Sequence, residues 1–387
     1  MLHSENPLSV FNYYKHNKKK FVSIYATCMV GVFVLYFMQV ILSSSMINVN
    51  KGSLDILKNF SAVTCRTYLL TEDRVKKLQS LHSVETGYPC NTISTFYRSS
   101  AGFTTGVYIF EMYPDDAKSI MKKLNMNITQ GRMFSNYGNE IIMSEQLAKN
   151  KGLKVGDSFG SMENPTETIT ASKKVVGLFD GKYLAAFQSI RDETLSNPER
   201  PAYAYGCMIF PKNNDISALN KDLMKFNETV TPSNSYNYLT YHDSYNGLSS
   251  FYSTYGTTFY ILYFFIIVLI CIGLSFLSYI YYSGRMTEFA TLNAIGFTKQ
   301  QLIKKSFIEI TLINVLAYIT GVILAVITTS ILNIFHYKPL GQDLYVLSGE
   351  SMIHAACCPI FVILFSIIPI WILFKKLDPI KIIEGEY

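Results

Sequence analysis

Charge is what this 387-residue sequence has least of: Asp, Glu, Lys and Arg make up 16% of it, against 49% apolar residues. The scarcity is uneven. Residues 21–43, 257–283, 310–335 and 352–374 contain no Asp, Glu, Lys or Arg at all. Crossing a hydrocarbon core of about 30 Å takes about 20 residues of helix, and buried soluble helices of that length rarely go uncharged. The four stretches are therefore expected to be transmembrane helices. No small-x-small cleavage site precedes the polar run Ser43, Ser44, Ser45, and the apolar run is too long for a signal sequence, so the first is expected to be a retained anchor.

Catalytic machinery is equally absent. There is no GxxxxGK[ST] phosphate loop, since Gly181-Lys182 is followed by Tyr183, and there is no HExxH helix. The six His are scattered along the chain; His354, at the start of the fourth span, is expected to be an interfacial polar side chain. Of the seven Cys, Cys28, Cys271, Cys357 and Cys358 fall in spans, which leaves Cys65, Cys90 and Cys207 for at most one disulfide. No CxxC pair with His partners exists, so a metal site is not expected. A catalytic site, a metal and a cofactor on this chain are all unexpected, and a non-catalytic membrane subunit is the natural class.

What charge there is sets the topology. Lys15, Lys18, Lys19 and Lys20 precede the first span, Arg285 to Lys305 separate the second from the third, and Lys375, Lys376 and Lys381 follow the fourth. Short segments rich in Lys and Arg stay cytoplasmic. Residues 1–20, 284–309 and 375–387 are therefore expected inside, and 44–256 and the short loop 336–351 outside. Tyr255, Tyr260 and Tyr263 at one end of span two and Tyr279, Tyr281 and Tyr282 at the other suit interfacial aromatic belts. The excess of 34 Lys+Arg over 28 Asp+Glu is explained by this topology and argues for a lipid bilayer, not a nucleic acid, as partner.

The segment 44–256 is long enough to bury its own core. Residues 62–70, 94–97, 106–112, 140–143, 168–179 and 202–210 have strand character, and 71–81, 114–124 and 216–226 have helical periodicity. Ser144 is placed to cap a helix that Gly152 ends. Alternating short strands and helices predict a mixed α/β domain inserted between the first and second transmembrane helices. Residues 213–250, rich in Asn, Ser and Tyr, are expected to supply loops and the approach to span two.

The stretch 284–310, GRMTEFATLNAIGFTKQQLIKKSFIEI, carries six charges between two membrane-length runs. It is expected to lie in water beside the bilayer. Arg285, Glu288, Phe289, Leu292 and Ile295 recur at three- and four-residue steps, a short amphipathic helix with Arg285 and Glu288 one turn apart. Gly296 suits the left-handed residue that ends it, and Thr298 with Gln301 three residues on forms a capping box for the next helix. Exposed Ile295 and Phe297 would need a partner or lipid to cover them.

These residues carry a resemblance. RMTEFATLNAIGFTKQQL resembles the signature of the FtsX-like permease domain of macrolide-exporter-type ABC transporters, with Arg285, Glu288, Ala294, Ile295 and Gly296 at its marked positions. LDPIKIIEGE resembles the family's closing Asp-Pro motif, here Asp378 and Pro379. ITQGRMFS, NEIIMSEQLAKNKGLKVGDSF and KKVVGLF resemble parts of its extracytoplasmic core domain. The resemblance implies a permease subunit that dimerises with a second copy or paralogue and docks a separate cytoplasmic ATPase on the segment after span two. It further implies mechanotransmission of ATP-driven closure to the outer domain, so that ATP and Mg belong to that partner chain. The implied coupling residues are Arg285, Glu288, Phe289, Leu292, Ala294, Ile295, Gly296, Phe297, Asp378 and Pro379. Export of a peptide, antibiotic or lipophilic substrate, with or without an extracellular adaptor, is one role within this class. Activation of an extracellular cell-wall hydrolase is another, and a passive anchored receptor is the alternative outside it.

Overall fold

The computed structural model describes residues 18–64, 72–135, 139–169, 171–180, 183–189, 206–228 and 237–375. Cys65, Asp378 and Pro379 lie outside them. In chain order the elements are α1 (Lys18–Ser53), β1 (Ser61–Thr64), α2 (Glu72–Gln79), β2 (Val84–Pro89), β3 (Asn91–Arg98) and β4 (Thr104–Met112). They continue with α3 (Pro114–Lys123), β5 (Ile128–Gly131), β6 (Glu140–Ser144), α4 (Glu145–Lys151), β7 (Ser158–Phe159), β8 (Lys173–Phe179), β9 (Ala186–Ser189) and β10 (Gly206–Pro211). Last come α5 (Ile216–Glu228), β11 (Asn237–Leu239), α6 (Tyr241–Ser283), α7 (Met286–Ala294), α8 (Lys299–Leu332) and α9 (Gly349–Lys375). The chain packs as two units. One comprises 1–41, 254–331 and 345–387; the other comprises 42–253 and 332–344.

In the first unit, α1, α6, α8 and α9 are each long and apolar enough to cross a membrane. Without water to expel between them, such helices associate through close packing and hydrogen bonds. Small residues bring the backbones together: a Cβ at Gly321 of α8 would lie 2.9 Å from the Met29 carbonyl oxygen and 3.0 Å from Val32 of α1. Polar pairs join the same two helices, with the Tyr25 hydroxyl donating to Thr320 Oγ1 at 2.7 Å and the Cys28 thiol to Asn314 Oδ1 at 2.8 Å. The outward faces are apolar, as Phe264, Leu269, Ile272 and Phe276 of α6 and Leu364, Phe365 and Ile368 of α9 show. A surface of this kind is stable only against lipid or another apolar chain.

The second unit is the mixed α/β domain between the first and second membrane helices. Its four-stranded sheet has the order β11-β1-β10-β2; the other sheet runs β3-β4-β9-β6-β8-β5, with β7 on β8. Pairing is antiparallel except for β4 with β9 and β6 with β8. Both sheets feed one core, in which Phe60, Phe110, Phe187, Met208 and Phe210 pack with Ile120 of α3. The far face of the smaller sheet, through Val63, Cys207 and Ile209, packs on Val75 and Leu78 of α2 and Leu219 of α5. The far face of the larger sheet packs on Leu147 and Ala148 of α4. Ser144 Oγ accepts from the Leu147 amide and Gly152, at φ 70°, closes α4, as their sequence positions predict.

Some expectations need correction. Residues 213–250 hold α5, as the helical periodicity of 216–226 predicts, and the described part also holds β11 and the first turns of α6, so the approach to span two is helix and not loop. The start of α6 was legible, because Thr240 Oγ1 accepts from the Asp243 amide at 3.1 Å and donates to its carboxylate at 2.7 Å, a reciprocal cap. The strand expected from 168 begins only at Lys173, since 161–169 turns back to hydrogen bond with itself. Cys90 and Cys207 lie on opposite faces of the small sheet, one in each core, so they do not form a disulfide with each other. The loop 332–344 is bound to the domain: Tyr97 donates to the Gly341 carbonyl at 2.8 Å, Asn150 to that of Leu340 at 3.0 Å, and Gln342 to that of Arg98 at 3.0 Å.

Candidate functional site

The segment joining α6 to α8 is a helical hairpin built by local rules. Arg285 lies two residues past the end of α6 and immediately precedes α7, and its guanidinium turns inward. It forms a fork on Glu288, Nε to Oε2 and Nη2 to Oε1, both at 3.0 Å. Nη1 donates to Glu309 Oε2 at 2.7 Å and to the Tyr281 hydroxyl at 3.2 Å. The rings of Tyr281, Tyr282 and Phe289 surround the cation, the nearest centroid being that of Phe289 at 4.8 Å. Tyr282 adds a hydrogen bond to Glu309 Oε2 at 3.3 Å, and Lys305 reaches Glu288 at 3.6 Å. Two cations and two carboxylates thus balance in one cluster that pins α6, α7 and α8 together.

Burial decides what this cluster is for. The side chains of Arg285 and Glu309 are 2% and 0% exposed, and that of Lys305 is 3%. The expectation that these charges lie in water fails for three of them: Arg285, Lys305 and Glu309 form a buried brace, Glu288 is half-buried, and Lys299 and Lys304 are exposed. Burial works against the Arg285 charge, but the hydrogen bonds to Glu288 and the Glu309 carboxylate outweigh it and hold its pKa above the ordinary value. Phe289 and Leu292, counted among the docking residues, are buried as well; Phe289 packs edge-on against Phe374 of α9 at 4.9 Å.

What the hairpin does present is its tip. Ala294, Ile295 and Gly296 are exposed, Phe297 is half-buried, and Ile295 reaches 69% exposure. Gly296 has φ 109°, with open space where a Cβ would stand, so the backbone and not packing requires glycine. The Phe297 amide bonds back to the Leu292 carbonyl and the Gly296 amide to that of Asn293, both at 3.1 Å, while Asn293 Nδ2 donates to the Phe297 carbonyl at 2.7 Å. Thr298 and Gln301 then form the reciprocal box that starts α8. Sequence reading missed Glu309, Lys305, Tyr281 and Tyr282 as members. The signal was present: Tyr281, Arg285 and Glu288 share one helical face, as do Lys305 and Glu309.

Residues 260–377 match the family model described as FtsX-like permease C-terminal. The region carrying this site is similar to that family's domain. Within the matched residues the hairpin lies between α6 and α8, the second and third membrane-length helices of the chain. No curated protein matches the chain in sequence. Among solved structures it is similar to the periplasmic region of MacB from Actinobacillus actinomycetemcomitans, at 9% identity over 52% of this chain and 96% of that one, with a TM-score of 0.30. It is also similar to the extracellular domain of the ABC-type transporter YknZ from Gram-positive bacteria, at 12% identity over 46% and 98%, with a TM-score of 0.28. Asp378 and Pro379 lie outside the described residues.

Proposed function

We propose that this chain is the non-catalytic permease subunit of an ABC transporter, coupling ATP hydrolysis by a separate cytoplasmic ATPase to conformational work of its α/β domain. One observation supports this reading above the others: a hairpin braced by buried ion pairs presents a stiff, exposed apolar tip at Ile295. A loop that merely connects two spans needs neither the brace nor the exposed isoleucine, whereas a lever needs both. In this account Ala294, Ile295, Gly296 and Phe297 touch the ATPase. Arg285, Glu288, Phe289 and Leu292 hold that tip in place and do not themselves dock. Both termini and the hairpin are cytoplasmic, following the cation asymmetry, and a second permease copy or paralogue completes the complex. ATP and Mg bind the partner ATPase.

The test is made in two steps. Single cysteines at Thr298 and Asp343 in a cysteine-free chain are probed in intact cells with an impermeant thiol reagent; Asp343 labels and Thr298 does not. The wild-type chain then co-purifies from membranes with a protein that hydrolyses ATP, and Ile295→Glu, which alters only an exposed side chain, loses it. Labelling of Thr298 from outside, or undiminished recovery of the ATPase with Ile295→Glu, contradicts the proposal.

A further inference from the structure

Next to the hairpin, a groove of about 350 Å³ opens between α8 and α9, lined by Gln300, Ile303, Lys304, Phe307, Ile367 and Ile370. Its ends differ. Gln300 and Lys304, both exposed, stand in the first turns of α8, where the polar hairpin segment gives way to the apolar run. Phe307 is 40% exposed in a wall that is otherwise Ile303, Ile367 and Ile370, all four on the stretches facing the groove. Lys304 also differs from its neighbour. Lys305 is buried and paired with Glu288, whereas no carboxylate lies within ion-pair distance of Lys304 among the described residues.

We infer that this groove holds one anionic phospholipid, its phosphate on Lys304 and Gln300 and an acyl chain along Ile303, Phe307, Ile367 and Ile370. The chemistry follows from the asymmetry: an ammonium with no carboxylate partner among the described residues and an amide donor sit at the polar mouth of a slot that is otherwise hydrocarbon. Water covers the apolar part badly, and a zwitterionic headgroup brings no net charge to the lysine. Basic residues at such a boundary favour anionic lipid, and a lone phosphate would leave the apolar walls uncovered. This site stands or falls independently of the ATPase reading.

The test uses the purified full chain in detergent micelles, offered equal amounts of dioleoyl phosphatidylglycerol and dioleoyl phosphatidylcholine, with retained lipid read by native mass spectrometry. One phosphatidylglycerol is retained, preferred by about fivefold, the ratio that ~1 kcal/mol for one interfacial cation corresponds to. Lys304→Gln abolishes the preference without changing the thermal midpoint, because Lys304 is exposed. Ile367→Trp, which fills the slot, reduces retention of both lipids, and inorganic phosphate at millimolar concentration displaces neither. Equal retention of the two lipids by the wild-type chain overturns the inference. So does a preference that survives Lys304→Gln, displacement by phosphate, or a chain–chain cross-link at Ile303 that excludes lipid.

Discussion

Removing the Arg285 guanidinium separates a brace from an ordinary surface ion pair. In Arg285→Ala, Glu309 stays fully buried and loses the guanidinium that donates to it at 2.7 Å. Breaking a buried ion pair by removing one partner costs about 3–5 kcal/mol. The reverse change is milder. In Glu309→Ala the arginine keeps its two-pronged contact with Glu288, which is 35% exposed, so the loss is that of charged hydrogen bonds, about 1.5–3 kcal/mol. Replacing both partners with apolar residues, Arg285→Met with Glu309→Leu, removes the charges together and leaves Glu288 and Lys305 to pair with each other, so most of the loss is recovered. Denaturant midpoints of the purified full chain in micelles, for Arg285→Met, Glu309→Leu and the double, give the cycle, with the two alanine variants measured beside them. If Arg285→Ala lies within about 1 kcal/mol of wild type, or the double equals the sum of the singles, the cluster is solvated and the brace does not exist.

Gly296→Val places a β-branched residue at φ 109° in open space, so it costs about 1–2 kcal/mol of backbone strain and no steric clash; an unchanged thermal midpoint would show that the turn does not need glycine. The hydrogen bonds from Arg132 hold Glu140 down to about 2. That lies below its ordinary value of about 4.3, so the stability it contributes is present above that pH and is lost as the pH falls toward 2. Acid unfolding of wild type over that interval, followed by circular dichroism, is accordingly steeper than that of Glu140→Gln; identical profiles would contradict the pairing. Non-reducing peptide maps contain no Cys90–Cys207 cross-link, and finding one would contradict the register of β2 with β10.

The membrane helices were legible because absence of charge over a membrane's thickness has one physical meaning. The α4 helix was legible too, since Ser144 and Gly152 are required by backbone chemistry at their positions. The hairpin was half legible. Its turn and capping box follow from local rules, but whether Arg285 points to water or inward depends on Glu309, 24 residues away and at the edge of an apolar run. Side-chain periodicity within α7 gives no hint of that partner. Strands β5, β7, β9 and β11 went unread because each has four residues or fewer, too short to show a period, and β2 went unread because Gly87 and Pro89 read as turn residues. The order of strands in the two sheets rests on long-range pairing that no local pattern encodes.

The most direct test of the central claim is the ATP hydrolysis rate of the isolated complex of this chain with its co-purified ATPase. Three forms are compared at equal subunit ratios: wild type, Ile295→Glu at the hairpin tip, and Lys221→Glu on the exposed face of α5 as a control. The account predicts that permease-dependent stimulation is lost in Ile295→Glu and kept in Lys221→Glu, with both variants folded as judged by thermal midpoint. Full stimulation in Ile295→Glu would contradict it, and the hairpin would then be a connector between two membrane helices.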